Sequence, residues 1–176
     1  MRDGAPLEIE RVWLLSGMPE LPPHAEALTI RQGYLPIGDP DDPFPGDPEV
    51  VPETGRIRSI QRAGAERNHV HTVKRGHGLV REERERTISA AAFDAAWPAT
   101  AGRRLSKTRW RVSEGDRTWE IDRFDHLDLV LAEVELDDPK QPVQIPDWLA
   151  GHLLREVTEE PAFRNAEIAA RAGLLE

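Results

Sequence analysis

Four tripeptides in this chain place a β-branched aliphatic between two charges of the same sign: Glu8-Ile9-Glu10, Arg56-Ile57-Arg58, Glu120-Ile121-Asp122 and Glu133-Val134-Glu135. Ile and Val favour extended backbone, and in a strand successive side chains point to opposite faces. Each triplet therefore sets both charges on one face and the aliphatic on the other. The polar face of an ordinary half-buried strand is mixed and looks into water. Same-sign pairs, anionic on some strands and cationic on another, fit a sheet whose charged faces converge. Such a sheet has a charged interior, with carboxylates suited to metal ions and cations suited to a polyanion.

At 176 residues the chain is expected to form one domain over 1–176 with a real core. Its net charge of -9 leaves no surface attractive to nucleic acid as a whole, yet it allows a localised basic site for a small anion. There is no cysteine, so neither disulfides nor thiolate ligands enter the argument. The first residues lack the apolar run of a signal peptide and no run of 18 apolar residues occurs, so a soluble, cytoplasmic protein with no membrane span is expected.

Alternation and turn residues predict strands over 7–15, 28–36, 54–63, 69–75, 79–88, 103–113, 118–124 and 129–136. Ser89 is a suitable N-cap for a short helix over 90–97 that Pro98 ends, and a second helix is expected over 165–175. Residues 36–55 carry six prolines among acidic residues and read as a mobile, solvated excursion. Gly76-His77-Gly78 and Glu114-Gly115-Asp116 read as turns. Strands joined by hairpin-length connections predict an α+β fold dominated by an antiparallel sheet or barrel with peripheral helices. Ile9, Ile57, Ile121 and Val134 then face outward, with the two helices as their covers.

Carboxylates at i and i+2 direct two oxygen-rich groups the same way, which suits Mg²⁺, Mn²⁺ or Ca²⁺. Glu8/Glu10 and Glu133/Glu135 form the neatest pairs, joined by Glu83/Glu85 and Glu120/Asp122. The matching cations are Arg31, Arg56, Arg58, Lys74, Arg81, Lys107 and Arg109, able to bind phosphate by planar fork or point charge. Two arrangements satisfy this pattern: a ligand site, or cross-strand ion pairs that simply neutralise one another. His69 and His71 share a strand face without a third ligand and read as a surface pair. Ser16, Ser106 and Ser113 have no evident base, and the five tryptophans read as packing residues.

In order along the chain, Glu8-Ile9-Glu10-Arg11, Ile30-Arg31-Gln32-Gly33-Tyr34-Leu35, Arg56-Ile57-Arg58 and Thr72-Val73-Lys74 are followed by Arg81-Glu82-Glu83-Arg84-Glu85. Lys107-Thr108-Arg109-Trp110, Trp119-Glu120-Ile121-Asp122, Ala132-Glu133-Val134-Glu135-Leu136 and Glu156-Val157-Thr158 complete the series. The whole resembles a bacterial CYTH domain, a triphosphate tunnel metalloenzyme, over nearly the full chain apart from the acidic excursion and the extreme ends.

The resemblance implies an eight-stranded antiparallel barrel around a hydrophilic tunnel, closed at one end by the C-terminal helix. It implies Glu8, Glu10 and Glu135 as ligands of Mg²⁺ or Mn²⁺, and Glu83, Glu85, Glu120 and Glu133 as further tunnel carboxylates with catalytic roles. Arg31, Arg56, Arg58, Lys74, Lys107 and Arg109 would take the triphosphate. Family members hydrolyse inorganic triphosphate or thiamine triphosphate, or cyclise ATP. The expectation for this chain is metal-dependent hydrolysis of inorganic tripolyphosphate, a small-molecule partner and, at most, a homodimer. The alternatives are a class IV type adenylate cyclase, a thiamine triphosphatase or a polyphosphate or nucleotide binder without turnover. One position departs from the family motif Glu-x-Glu-x-Lys: Val12 stands where the lysine belongs.

Overall fold

The computed structural model describes residues 7–38, 44–75 and 80–173. The strands are β1 (Leu7–Leu15), β2 (Glu26–Tyr34), β3 (Arg56–Arg62), β4 (Asn68–Arg75), β5 (Val80–Thr87), β6 (Arg104–Glu114), β7 (Arg117–Phe124), β8 (Val130–Glu135) and β9 (Leu153–Glu156). The helices are α1 (Ala90–Ala96), α2 (Asp147–Ala150) and α3 (Asn165–Ala172), with 3-10 turns at Trp97–Thr100 and Pro161–Phe163. Residues 174–176, at the end of the expected C-terminal helix, and the Gly76-His77-Gly78 turn lie outside the described residues, as does the Arg81 side chain. No helix among the described residues is long and apolar enough to cross a membrane.

All the strands belong to one sheet in the order β5-β4-β3-β2-β6-β7-β8-β1-β9. Every pairing is antiparallel. The sheet curves far enough for β5, at one end of the order, to pair with β1 through Leu7↔Glu82, Glu8↔Arg81 and Ile9↔Val80. Long strands with right-handed twist produce such curvature. Eight strands were expected and the described residues form nine. The addition, β9, is a four-residue strand with little alternation to betray it; it pairs with β1 near Trp13–Leu15. The β6–β7 hairpin turns at Gly115, whose φ of 62° is the left-handed conformation that a two-residue turn requires and that glycine adopts without strain.

The triplets behave as their alternation dictates. Ile9, Ile57, Ile121 and Val134 are all buried on the outer face of the sheet, while their charged neighbours take the inner one, where all but Asp122 line a cavity. The covers differ in part from expectation. Helix α1 lies over Ile57 with Leu35 and Ile88, and Ser89 caps it by accepting from Ala92 N at 3.0 Å. Ile9, Ile121 and Val134, however, pack with Trp13, Trp119 and Val112 under Leu149 of α2, with Met18, Leu21, Val143 and Ile145 alongside. The Pro-rich connections supply that cover, because α3 is used elsewhere. Its Ile168 and Ala169 pack against Leu105, Phe124 and Leu131, with Val12, Leu14 and Tyr34 beside them. Those six strand residues share the inward parity of the charged positions, so α3 sits across the inner face near one end.

The described part of the 36–55 excursion is fastened down. Arg86 donates to Asp47 O at 2.5 Å, to Val50 O at 2.8 Å and to His71 Nδ1 at 3.0 Å. The other ring nitrogen of His71 lies 2.8 Å from Thr54 O, and Phe44 stacks on the imidazole. His71 is thus buried, contrary to the surface pair expected from sequence. A single buried guanidinium satisfying two loop carbonyls gives this Pro-rich segment the order its composition does not suggest.

Candidate active site

The inner face of the sheet encloses a cavity of about 910 Å³. Glu8 and Glu10 enter it from β1, Arg56 and Arg58 from β3, Lys74 from β4, Glu83 and Glu85 from β5, Lys107 and Arg109 from β6, Glu120 from β7, and Glu133 and Glu135 from β8. Residues expected from seven strands thereby meet in one space. Arg31 does not join them. It is exposed and lies on the outer face, its guanidinium 4.8 Å from the Trp97 ring centroid. Alternation explains the correction: Ile30, Gln32 and Tyr34 take the inward parity on β2, leaving Arg31 to face out.

Two charge networks divide the cavity. In the first, Lys74 Nζ bridges Glu8 Oε2 at 2.6 Å and Glu83 Oε2 at 2.9 Å. Arg58 pairs with Glu85 at 2.6 Å, and Arg56 donates to Thr72 Oγ1 at 3.3 Å, which itself donates to Glu85 at 3.1 Å. The Nε atoms of Arg56 and Arg58 are buried without a hydrogen-bond partner among the described residues. Burial, reinforced by the adjacent Arg56, pushes Arg58 down to about 10 against the opposing pull of Glu85. An anion would relieve both conditions.

The second network is deeper. Lys107 donates to Asp122 Oδ2 at 2.5 Å and to Asn165 Oδ1 of α3 at 3.2 Å. Arg109 grips Asp122 through Nε at 2.6 Å and Nη2 at 2.7 Å, reaches Glu133 at 2.7 Å and also pairs with Glu120. Lys107, Asp122 and Glu133 are buried. Against its own burial, Asp122 is drawn down to about 2 by Arg109 and Lys107. Burial pushes Glu133 up to about 7, with Glu10 and Asp122 adding to the effect. Asp122, a buried carboxylate behind the cavity wall and absent from the expected ligand set, was signalled by its own triplet: it lies two residues beyond Glu120.

The donor chemistry beside Glu8, Glu10 and Glu135 is all carboxylate oxygen, which fits a hard divalent cation. Among the described residues, no three acidic or histidine side chains are already gathered as a metal cluster, and Glu8 is engaged by Lys74. Burial nonetheless raises Glu8, and Glu83 adds to the rise against the pull of Lys74. The fit to a metal is therefore one of chemistry, with Glu8 having to turn from the lysine.

Val12 occupies the inward position after Glu8 and Glu10. It stands opposite Glu133 in the β1–β8 register, and its side chain packs with the residues under α3.

No family model matches the chain. The chain is 33% identical over 168 residues to the inorganic triphosphatase of Nitrosomonas europaea, covering 92% of this chain and 96% of the relative. It belongs to the inorganic triphosphatase family. A second relative, the inorganic triphosphatase of Acetivibrio thermocellus, is 35% identical over 66 residues, 36% of this chain and 40% of that one. The crystal structure of the inorganic triphosphatase NE1496 matches with a TM-score of 0.53 and 30% identity, covering 93% of this chain and 94% of that chain. Another structure of NE1496, described as a hypothetical protein, matches with a TM-score of 0.55 and 32% identity over 93% of this chain and 97% of that one. For this inorganic triphosphatase family member, the charged cavity is the candidate active site.

Proposed function

We propose that this chain is a divalent-metal-dependent hydrolase of inorganic tripolyphosphate, working as a CYTH-type triphosphate tunnel enzyme. The observation that carries the reading is the set of inward cations, Arg56, Arg58, Lys74, Lys107 and Arg109, facing carboxylates across one cavity. The β1–β5 pairing supports reading the curved sheet as a tunnel wall. Phosphoryl transfer needs charge neutralisation and alignment more than covalent help. Arg56 and Arg58 would hold one stretch of the triphosphate through their unmatched donors, and Lys107 and Arg109 the deeper stretch. Glu8, Glu10 and Glu135 would hold Mg²⁺ or Mn²⁺, which when bound polarises phosphate oxygens and acidifies water. Glu83, Glu85, Glu120 and Glu133 are the residues available to accept the proton of the attacking water.

Val12 favours a second reading, in which the cavity binds a triphosphate without cutting it, because an aliphatic side chain replaces a cation beside the deep network. The test is phosphate release from tripolyphosphate, ATP and thiamine triphosphate, each with Mg²⁺ and with Mn²⁺, against a Glu10→Ala control. Metal-dependent release from tripolyphosphate, lost in the control, is the expected result. Tight triphosphate binding without release would select the binder, and preference for ATP or thiamine triphosphate would replace the substrate.

A further inference from the structure

We propose that Asp122 is a positioning residue of this cavity: it fixes Lys107 and Arg109 as one rigid dicationic clamp for the deep end of a bound triphosphate. The inference rests on the triphosphatase reading above and assigns to Asp122 the alignment of the cations that reading uses. Asp122 is fully buried and does not reach the cavity lining itself. Both of its oxygens are spent on cations: Oδ2 takes Lys107 Nζ at 2.5 Å and Arg109 Nη2 at 2.7 Å, and Oδ1 takes Arg109 Nε at 2.6 Å. The Nε and Nη2 contacts form a bidentate grip that fixes the plane of the guanidinium. Nη1 is left directed toward Glu120, on the cavity wall.

The same carboxylate sets the charge on Lys107. Burial, followed by the neighbouring Arg109, pushes the Lys107 ammonium down, while Asp122 and Glu133 hold it up. The other groups facing it are Asn165 of α3, which carries no charge, and the Phe124 ring, 5.3 Å from Nζ. Asp122 supplies the hydrogen-bonded charge at the shortest range, so its removal leaves a desolvated amine beside a guanidinium. An amine in that setting sheds its proton more easily. Glu120 and Glu133 can still neutralise Arg109, but neither contacts Lys107 by hydrogen bond among the described residues.

Asp122→Asn keeps the shape and removes the charge. The expected result is a rise in KM for tripolyphosphate of about tenfold, the equivalent of losing one charge-assisted contact, with a smaller fall in kcat. The KM defect should shrink as pH is lowered and Lys107 regains its proton. Because the chain has three lysines, Lys74, Lys107 and Lys140, isotope-labelled lysine gives a resolvable NMR titration. The Lys107 signal should titrate at lower pH in Asp122→Asn and return toward wild type in Asp122→Glu, which also serves if the asparagine variant fails to fold. An unchanged Lys107 titration, or a KM defect that does not depend on pH, would overturn the assignment. If wild type releases no phosphate the hydrolase reading fails, and the tripolyphosphate Kd with the lysine titration still decides the role of Asp122.

Discussion

Val12 stands directly opposite Glu133 on the antiparallel β1–β8 ladder, an aliphatic side chain next to a buried carboxylate that burial and Glu10 hold up to about 7. Cross-strand neighbours lie within reach of each other's side chains. A lysine at this position would have its flexible stem along the apolar group under α3 and its ammonium near Glu133. Val12→Lys is therefore expected to lower KM for tripolyphosphate several-fold, while costing about 1–3 kcal/mol of stability through overpacking at the α3 seat. Steady-state kinetics and thermal unfolding of the one variant check both halves. Unchanged affinity and turnover would mean that the valine does not limit the site.

Arg31 and Arg58 have the same chemistry and opposite parity. Arg58 lines the cavity with a buried, unpartnered Nε, and Arg31 lies over Trp97 outside it. Arg58→Ala should lower kcat/KM for tripolyphosphate by roughly 10- to 100-fold, the range of a lost charged hydrogen bond. Arg31→Ala should leave kcat/KM within about twofold and cost at most the ~0.5–1 kcal/mol of an exposed cation–π contact. A comparable kinetic defect in both would place Arg31 at the substrate after all.

Stability at low pH should report on Asp122. Its carboxyl is held at about 2 in the folded chain, against an ordinary 3.8, by Arg109 and Lys107 working against burial. A depressed folded value means that the contribution is full above the unfolded pKa and is lost as pH falls toward the folded one. The size is about 2 kcal/mol. Urea unfolding of wild type and Asp122→Asn from pH 7 to pH 2 should show the wild-type advantage shrinking by about that amount between pH 4 and pH 2. A constant difference between the two proteins across that range would contradict the assignment of the shift.

Much of this architecture was legible in the sequence because period-two alternation acts locally. Glu120-Ile121-Asp122 needs only extended backbone to send its charges one way and Ile121 the other, and the structure obeys. Parity failed only where the frame was ambiguous: on β2, Arg31 sits between Ile30 and Gln32, and nothing local says whether it or that pair faces inward. The covers of the outer face were harder. Leu149, Val143 and Ile145 come from Pro-rich connections whose packing depends on distant strands. The hold of Arg86 and His71 on the 44–55 segment is likewise tertiary. Asp122 was visible as a charge but not as the shared partner of Lys107 and Arg109, since that depends on the β6–β7 register, Arg109↔Asp122.

Helix α3 is seated by one apolar side chain and one missing side chain. Ile168 is fully buried among Leu105, Phe124 and Leu131. Gly173, just past the helix, comes so close to the Gly102 carbonyl that an added Cβ would lie 2.2 Å from its oxygen. Since Asn165 at the start of α3 accepts from Lys107, the seat of the helix is coupled to the deep cation of the cavity. Ile168→Ala should cost about 2–5 kcal/mol, and Gly173→Ala should force the helix end away from Gly102. In both variants, native-state hydrogen exchange should show amides of α3 losing protection before those of β6 and β7. If α3 and those strands lose protection together, the helix is an integral part of the cooperative unit and not a separately seated plug. If α3 alone opens, the Lys107–Asn165 contact should break with it, and tripolyphosphate affinity should fall in proportion to the fraction opened.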